Sequence, residues 1–151
     1  MHQGQMLISE FKASLPTAFL LGELNAVRPY ISLVKENGLW DYKNRNSYRK
    51  LAAIEAFGNF AFGATAAAWA DGFTGGLSNG LADLTINIAK RGAGYYQKNE
   101  QPLHYQSSFG HWLDLALFTN TTYGDSPADG ANIELGGRYY FSGRFNLLQQ
   151  P

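Results

Sequence analysis

Ser126-Pro127-Ala128-Asp129-Gly130-Ala131-Asn132-Ile133-Glu134-Leu135-Gly136-Gly137-Arg138-Tyr139-Tyr140 is the stretch from which the fold class reads most directly. Ser126 followed three residues later by Asp129 has the pattern of a capping box, with Pro127 at the first helical position, where its missing N–H costs nothing. Ile133, Gly136, Gly137 and Tyr140 then recur at helical steps, so the spacing predicts a helix over roughly 127–141.

The same period appears at the other end of the chain. Phe11, Leu15, Phe19, Leu20, Leu24, Val27 and Ile31 fall at three- and four-residue steps. Pro16 and Pro29 are expected to break this run into two or three pieces, and Gly38, after Lys35 and Glu36, to end it. Residues 40–46 read as an aromatic, Asn-rich loop. A further helix is expected from Ser47 to Phe57, interrupted at Gly58-Asn59, with a small-residue helix from Phe60 to Trp69. Turns are expected near Gly72 and Gly75-Gly76. Leu77, Leu81, Leu84 and Ile88 then mark one face of another helix, ending near Gly92 or Gly94. Residues 95–109 read as an irregular connection, and 112–123 as either a short helix or a strand. The expected class is mainly α, in one domain over 9–151 after a polar, ragged 1–8. A short C-terminal strand in 141–151 is the α+β alternative.

Composition narrows the function classes. Hydrophobic residues make up 45% of the 151 and charged ones only 16%, which excludes a disordered chain. A chain of this length buries roughly 68–70% of its unfolded surface, enough for one stable core. Twelve Lys and Arg balance twelve Asp and Glu, so the basic excess that usually marks a nucleic-acid binder is missing. The run Lys43, Arg45, Arg49, Lys50 is the local exception and reads most simply as a solvated helix start. With no cysteine, disulfides and thiolate zinc sites are excluded. No apolar run reaches the roughly 20 residues of a membrane span, and the opening residues have no signal-peptide pattern. Export is therefore expected to rest on a carrier.

Three carboxylate or aromatic groupings are candidates for chemistry. Glu55 precedes Asn59 by one helical turn and follows Leu51 and Ile54, at the edge of an apolar surface. Desolvation of a carboxyl there favours its protonated form, which suits a general acid; a plain solvent-facing glutamate is the competing reading. Asp125 and Asp129 are four apart at a helix start and could face one cleft, as water activation or metal binding requires, although helix N-termini attract acids in any case. Trp40, Asp41, Tyr42 and Lys43 set rings beside charges, as stacking on sugars or bases needs. The alternative is a buried Trp40 with Asp41 closing the turn. His104 and His111 lie near Ser107, Ser108 and Asp114, but neither a nucleophile elbow nor an H-E-x-x-H motif is present.

Taken in order, several phrases resemble the polymorphic toxin type 44 family. They are Leu33-Val34, Gly38 and Trp40-Asp41-Tyr42-Lys43; then Phe57-Gly58-Asn59-Phe60-Ala61-Phe62-Gly63-Ala64-Thr65; then Tyr123-Gly124-Asp125-Ser126-Pro127-Ala128-Asp129 with Ile133, Gly136 and Tyr139-Tyr140. The resemblance covers about residues 30–140. It implies the C-terminal payload of a larger secreted protein, often delivered by type VI secretion into target bacteria and matched by a cognate immunity protein. Gly130 departs from the Gln that the family tends to carry after its second Asp. Glu55-Ala56-Phe57 with Gly63-Ala64 is also faintly similar to the catalytic-Glu region of lysozyme-like transglycosylases.

The leading expectation is a hydrolase of peptidoglycan glycan acting in the periplasm, with no cofactor. Glu55, Asp125 and Asp129 are its expected catalytic residues, and Trp40, Asp41, Lys43, Asn59 and Tyr123 its substrate contacts. A nuclease acting in the target cytoplasm, built on Asp125, Asp129 and Lys43 around a divalent metal or directly on a phosphodiester, is the alternative. A non-enzymatic binding domain of a secretion effector is the third.

Overall fold

The computed structural model describes residues 3–42, 44, 52–77, 82–99 and 127–143, and of α4 beyond Lys90 only the backbone. Among these residues there are five helices: α1 (Gln3–Glu23), α2 (Val27–Val34), α3 (Ala52–Thr74), α4 (Ala82–Asn99) and α5 (Pro127–Phe141). No strand occurs among them, and the mainly-α class holds. The possible strand in the tail, the Ser126 cap and the segment 112–123 lie outside the described residues. α5 has the bounds its sequence predicts.

The central helix is α3, packed along α1 on one side and α5 on the other, with α4 against α5 and α3. Its composition explains how two helices reach it so closely. A Cβ on Gly72 would overlap the carbonyl oxygen of Phe19, and one on Gly22 that of Trp69. On the other side a Cβ on Gly63 would overlap the Ile133 carbonyl, and one on Gly136 the Phe60 carbonyl. Backbone therefore meets backbone at both crossings, with buried Ala61, Ala64, Ala67 and Ala68 filling the seams. Small residues bring helix axes nearer than the usual separation set by larger side chains.

Residue pairing gives the directions. Phe11 meets Phe57 and Phe60 while Gly22 meets Trp69, so α1 and α3 run parallel. Asn59 meets Asp129 and Asp71 meets Tyr140, so α3 and α5 run parallel too. By contrast, Asp83 pairs with Arg138 and Lys90 with Glu134, which makes α4 antiparallel to α5.

The core is a ring cluster at the α1–α3–α5 junction. Phe11 lies 5.7 Å from Phe57 and 5.6 Å from Phe60 between ring centroids, and Phe60 lies 5.3 Å from Tyr139. Such pairs add about 0.5–1.5 kcal/mol each to their area burial. Leu15 and Ala18 continue the seam; a fully buried leucine contributes about 1.5–3 kcal/mol.

Several sequence expectations are corrected. α1 begins at Gln3 with Leu7 already buried, so most of the opening segment is helix. Pro16 does not break α1: it faces solvent, where water can serve the carbonyl its ring leaves unbonded. Instead the break falls at Asn25, whose φ of 52° closes a Schellman turn. There Ala26 N–H donates to Leu21 O at 2.8 Å and Asn25 N–H to Gly22 O at 2.9 Å. Pro29 sits in the first turn of α2, where no N–H is required. α2 ends at Val34, and the left-handed residue beyond it is Asn37 rather than Gly38.

α3 runs unbroken through Gly58-Asn59 and through Gly72. A helical glycine costs only about 1 kcal/mol, which packing on both sides of α3 offsets. The predicted turn at Gly75-Gly76 is present, both residues having positive φ. α4 extends past Gly92 and Gly94, and its buried face is centred on Ile86 and Ala89, with Leu84 and Ile88 at its edges. No helix among the described residues is long and apolar enough to cross a membrane.

Candidate functional site

Two polar side chains seventy positions apart in sequence meet between α3 and α5. Asn59, 5% exposed, donates its Nδ2–H to Oδ1 of Asp129 at 2.6 Å. The sequence logic is local at each end. Asn59 lies one turn before Gly63, and Asp129 one turn before Ile133. The Gly63–Ile133 backbone contact therefore holds those turns at the distance an amide–carboxylate bond spans. Asp129 is the third residue of α5, where the unbonded N–H groups of the first turn favour a negative charge. Gly130, beside it, is buried.

Glu55 precedes Asn59 by one turn on α3, so their Cβ atoms are about 5–6 Å apart on neighbouring parts of one face. Its side chain is exposed, so the apolar surface expected to desolvate it does not enclose it. Glu55 is thus an exposed carboxylate one turn before the buried Asn59, whose amide holds the half-buried Asp129.

Of the Trp40–Lys43 phrase, Tyr42 packs over the first half of α3, while Trp40 sits beside Tyr30, which reaches Thr65 and Trp69 in the second half. Tyr42 is fully buried with its ring 5.4 Å from Phe57, and Tyr30 places its hydroxyl 3.3 Å from Thr65 Oγ1. Burial pushes the Tyr30 hydroxyl pKa well above its ordinary value, with the Thr65 hydrogen bond opposing it. Asp41 is 6% exposed, and its Oδ2 accepts from Asn37 N–H and from Asn44 Nδ2, each at 2.8 Å. Asp41 thus closes the turn, and Trp40 packs half-buried beside Tyr30 at 6.3 Å. Neither is presented as an open stacking surface.

Asp125, Tyr123, Lys43, the remainder of the basic run, and His104, His111 and Asp114 lie outside the described residues. Among the described residues no three His, Cys, Asp or Glu side chains come together as a metal ion would need. The remaining polar constellations tie helices together. Glu134 accepts from Arg138 at 2.9 Å and from Lys90 at 3.2 Å, and Arg138 reaches Asp83 at 3.1 Å. At the far end of α3, Tyr140 donates to Asp71 Oδ2 at 2.7 Å.

Sequence reasoning named both Asn59 and Asp129 but not their contact, nor the glycine pair that sets it. The one available signal was the matched four-residue step, Asn59 to Gly63 and Asp129 to Ile133. No family model matches the chain, and comparison with curated proteins and with solved structures returns no match either.

Proposed function

We propose that this chain is a toxin domain of the type 44 kind, a hydrolase that cleaves the glycan of peptidoglycan in the periplasm of a target bacterium. Its working groups on this reading are Asp129, held by Asn59, and Glu55. The observation that carries it is the Asn59–Asp129 hydrogen bond. It joins the Phe57–Thr65 phrase to the Tyr123–Asp129 phrase, and Tyr42 packs the third phrase onto Phe57. Residues scattered through the resemblance thus gather around one half of α3.

On this reading Glu55 and Asp129 serve one cleft as the two carboxylates that glycoside hydrolysis asks for: one to take a proton from water, one to give a proton to the leaving oxygen. Exposure of Glu55 suits a group that a bound sugar chain covers, taking it out of water at the moment it must donate. The balance of charge also favours an uncharged glycan over a phosphate backbone. A cognate immunity protein and a larger secreted carrier complete the proposal as partners.

Expression in bacteria with and without a periplasmic export signal tests it. Killing only on export, with rounding or lysis and with release of sugar fragments from purified peptidoglycan, is the expected result. Killing without export, with loss of RNA or DNA, would replace this reading with the nuclease.

A further inference from the structure

We propose that Asn59 is a positioning residue that makes Asp129 the proton acceptor of the reaction and leaves Glu55 as the donor. This rests on the hydrolase reading above. The sequence suggests Asn59 as a substrate contact, yet at 5% exposure it has almost no surface to offer a sugar. What it does touch is Oδ1 of Asp129.

The polarity of that bond assigns the role. A carboxylate has no proton to give, so the amide must turn its NH2 towards it. The buried amide therefore holds Oδ1 of Asp129 in place. Fixing Oδ1 also fixes the plane of the carboxylate, and therefore where Oδ2 lies. Rotation of Asn59 is prevented by its burial, and sliding of α5 by the backbone contacts at Gly63 and Gly136. Among the described residues Glu55 has no such buried donor: it is exposed, one turn away.

In the step itself, a water oxygen bonds to the anomeric carbon as one of its protons passes to Asp129. The glycosidic C–O bond breaks with its electron pair on the leaving oxygen, which takes the proton of Glu55. One water is divided across one bond, and exchange with solvent returns Asp129 and Glu55 to their starting states.

Asn59→Asp is the decisive variant, because two carboxylates in hydrogen-bond contact cannot both ionise freely. The acid limb of its pH profile for glycan cleavage should move to higher pH by at least about one unit, with kcat reduced tenfold or more and KM within about twofold. An unmoved limb, or a loss carried by KM alone, would overturn the assignment. Combining Asn59→Asp with Asp129→Asn keeps one amide and one carboxylate in contact and so guards against a folding defect. This swap should keep the wild-type melting temperature and lose about a hundredfold in kcat; full activity would overturn the assignment. Carboxyl 13C titration of Asn59→Asp needs no activity. Coupled two-step titration supports the pair even where the wild type cleaves no glycan and the hydrolase reading falls; independent titrations overturn it.

Discussion

Gly63 and Gly136 sit on facing sides of the α3–α5 crossing, each against the other helix's backbone: Gly63 under the carbonyl of Ile133, Gly136 under that of Phe60. The arrangement leaves no room for a methyl group, and neither obstructing atom belongs to a flexible side chain. Gly63→Ala or Gly136→Ala must push the helices apart, at a cost of about 1–3 kcal/mol or more. Both should also weaken the Asn59–Asp129 bond, which lies one turn from Gly63 and about two turns from Gly136. Urea denaturation measures the cost. Gly75→Ala is the comparison, since no atom lies within 4 Å of its Cβ position and only its left-handed backbone opposes the change, by about 1–2 kcal/mol. Equal stability of Gly63→Ala and wild type would contradict the close crossing.

Asp41 offers a separation of structure from chemistry. Its carboxylate organises the turn after α2 through Asn37 and Asn44, and it is buried. Asp41→Ala should cost about 1–3 kcal/mol, leaving buried donors without their acceptor. Activity per folded molecule should stay within about twofold. A large loss of activity in a stably folded Asp41→Ala protein would restore the substrate contact that the sequence suggests.

On the alkaline side, Tyr140 is held neutral by burial first and then by its hydrogen bond and proximity to Asp71, all of which raise its pKa; Tyr30 is raised chiefly by burial. A folded value above the unfolded one means that the stabilisation is complete below the unfolded value of about 10. It is lost as pH rises from there towards the folded value. Stability should therefore fall above pH ~10, and these two of the nine tyrosines should ionise only as the chain unfolds. Following tyrosinate absorbance against urea unfolding checks this. Tyr140→Phe should flatten the fall while costing about 1.5–3 kcal/mol at neutral pH.

Glu134 gives the opposite sign. The Arg138 hydrogen bond first, then that of Lys90, lower its carboxyl pKa, with burial opposing them. Its contribution is present above the unfolded glutamate value of about 4.3 and is lost as pH falls through the lower folded value. Because the network is largely exposed, solvent and salt screen it. Glu134→Gln should remove part of the acid-side decline in melting temperature, and high salt should mimic the change.

How much of this was legible depends on whether the deciding atoms are neighbours in sequence. α5 was, since Pro127 and Asp129 lie in its own first turn and act on the backbone beside them. So was the turn at Gly75-Gly76, where the residue type and its φ are one fact. Gly58-Asn59 misled because a breaker's local cost of about 1 kcal/mol is visible in sequence, whereas helices packed on both sides of it are not. Pro16 misled for a related reason, as its exposure decides whether a lost hydrogen bond is replaced by water. The phase of α4 followed Leu81, Leu84 and Ile88, but the partner surface selected Ile86, which fits against the bare Gly137. Of the candidate site, residue types were readable and their meeting was not, because the Asn59–Asp129 contact depends on the parallel register of α3 and α5.

The two carboxylates should separate cleanly in stability and in activity. Glu55 is exposed, so Glu55→Gln should change stability by no more than about 0.5 kcal/mol while lowering glycan cleavage by about 10²–10⁴-fold, the range for a lost general acid. Asp129→Asn keeps an oxygen that can accept from Asn59 Nδ2, so the α3–α5 contact should survive while the proton acceptor is lost, again at about 10²–10⁴-fold. The double variant should be scarcely worse than either single one, because groups acting in one step are strongly non-additive. Export-dependent killing and sugar release from peptidoglycan give the readout, with melting temperature as the control. Undiminished killing by folded Glu55→Gln and Asp129→Asn proteins would remove both from the chemistry and with them the glycan hydrolase as argued from this surface.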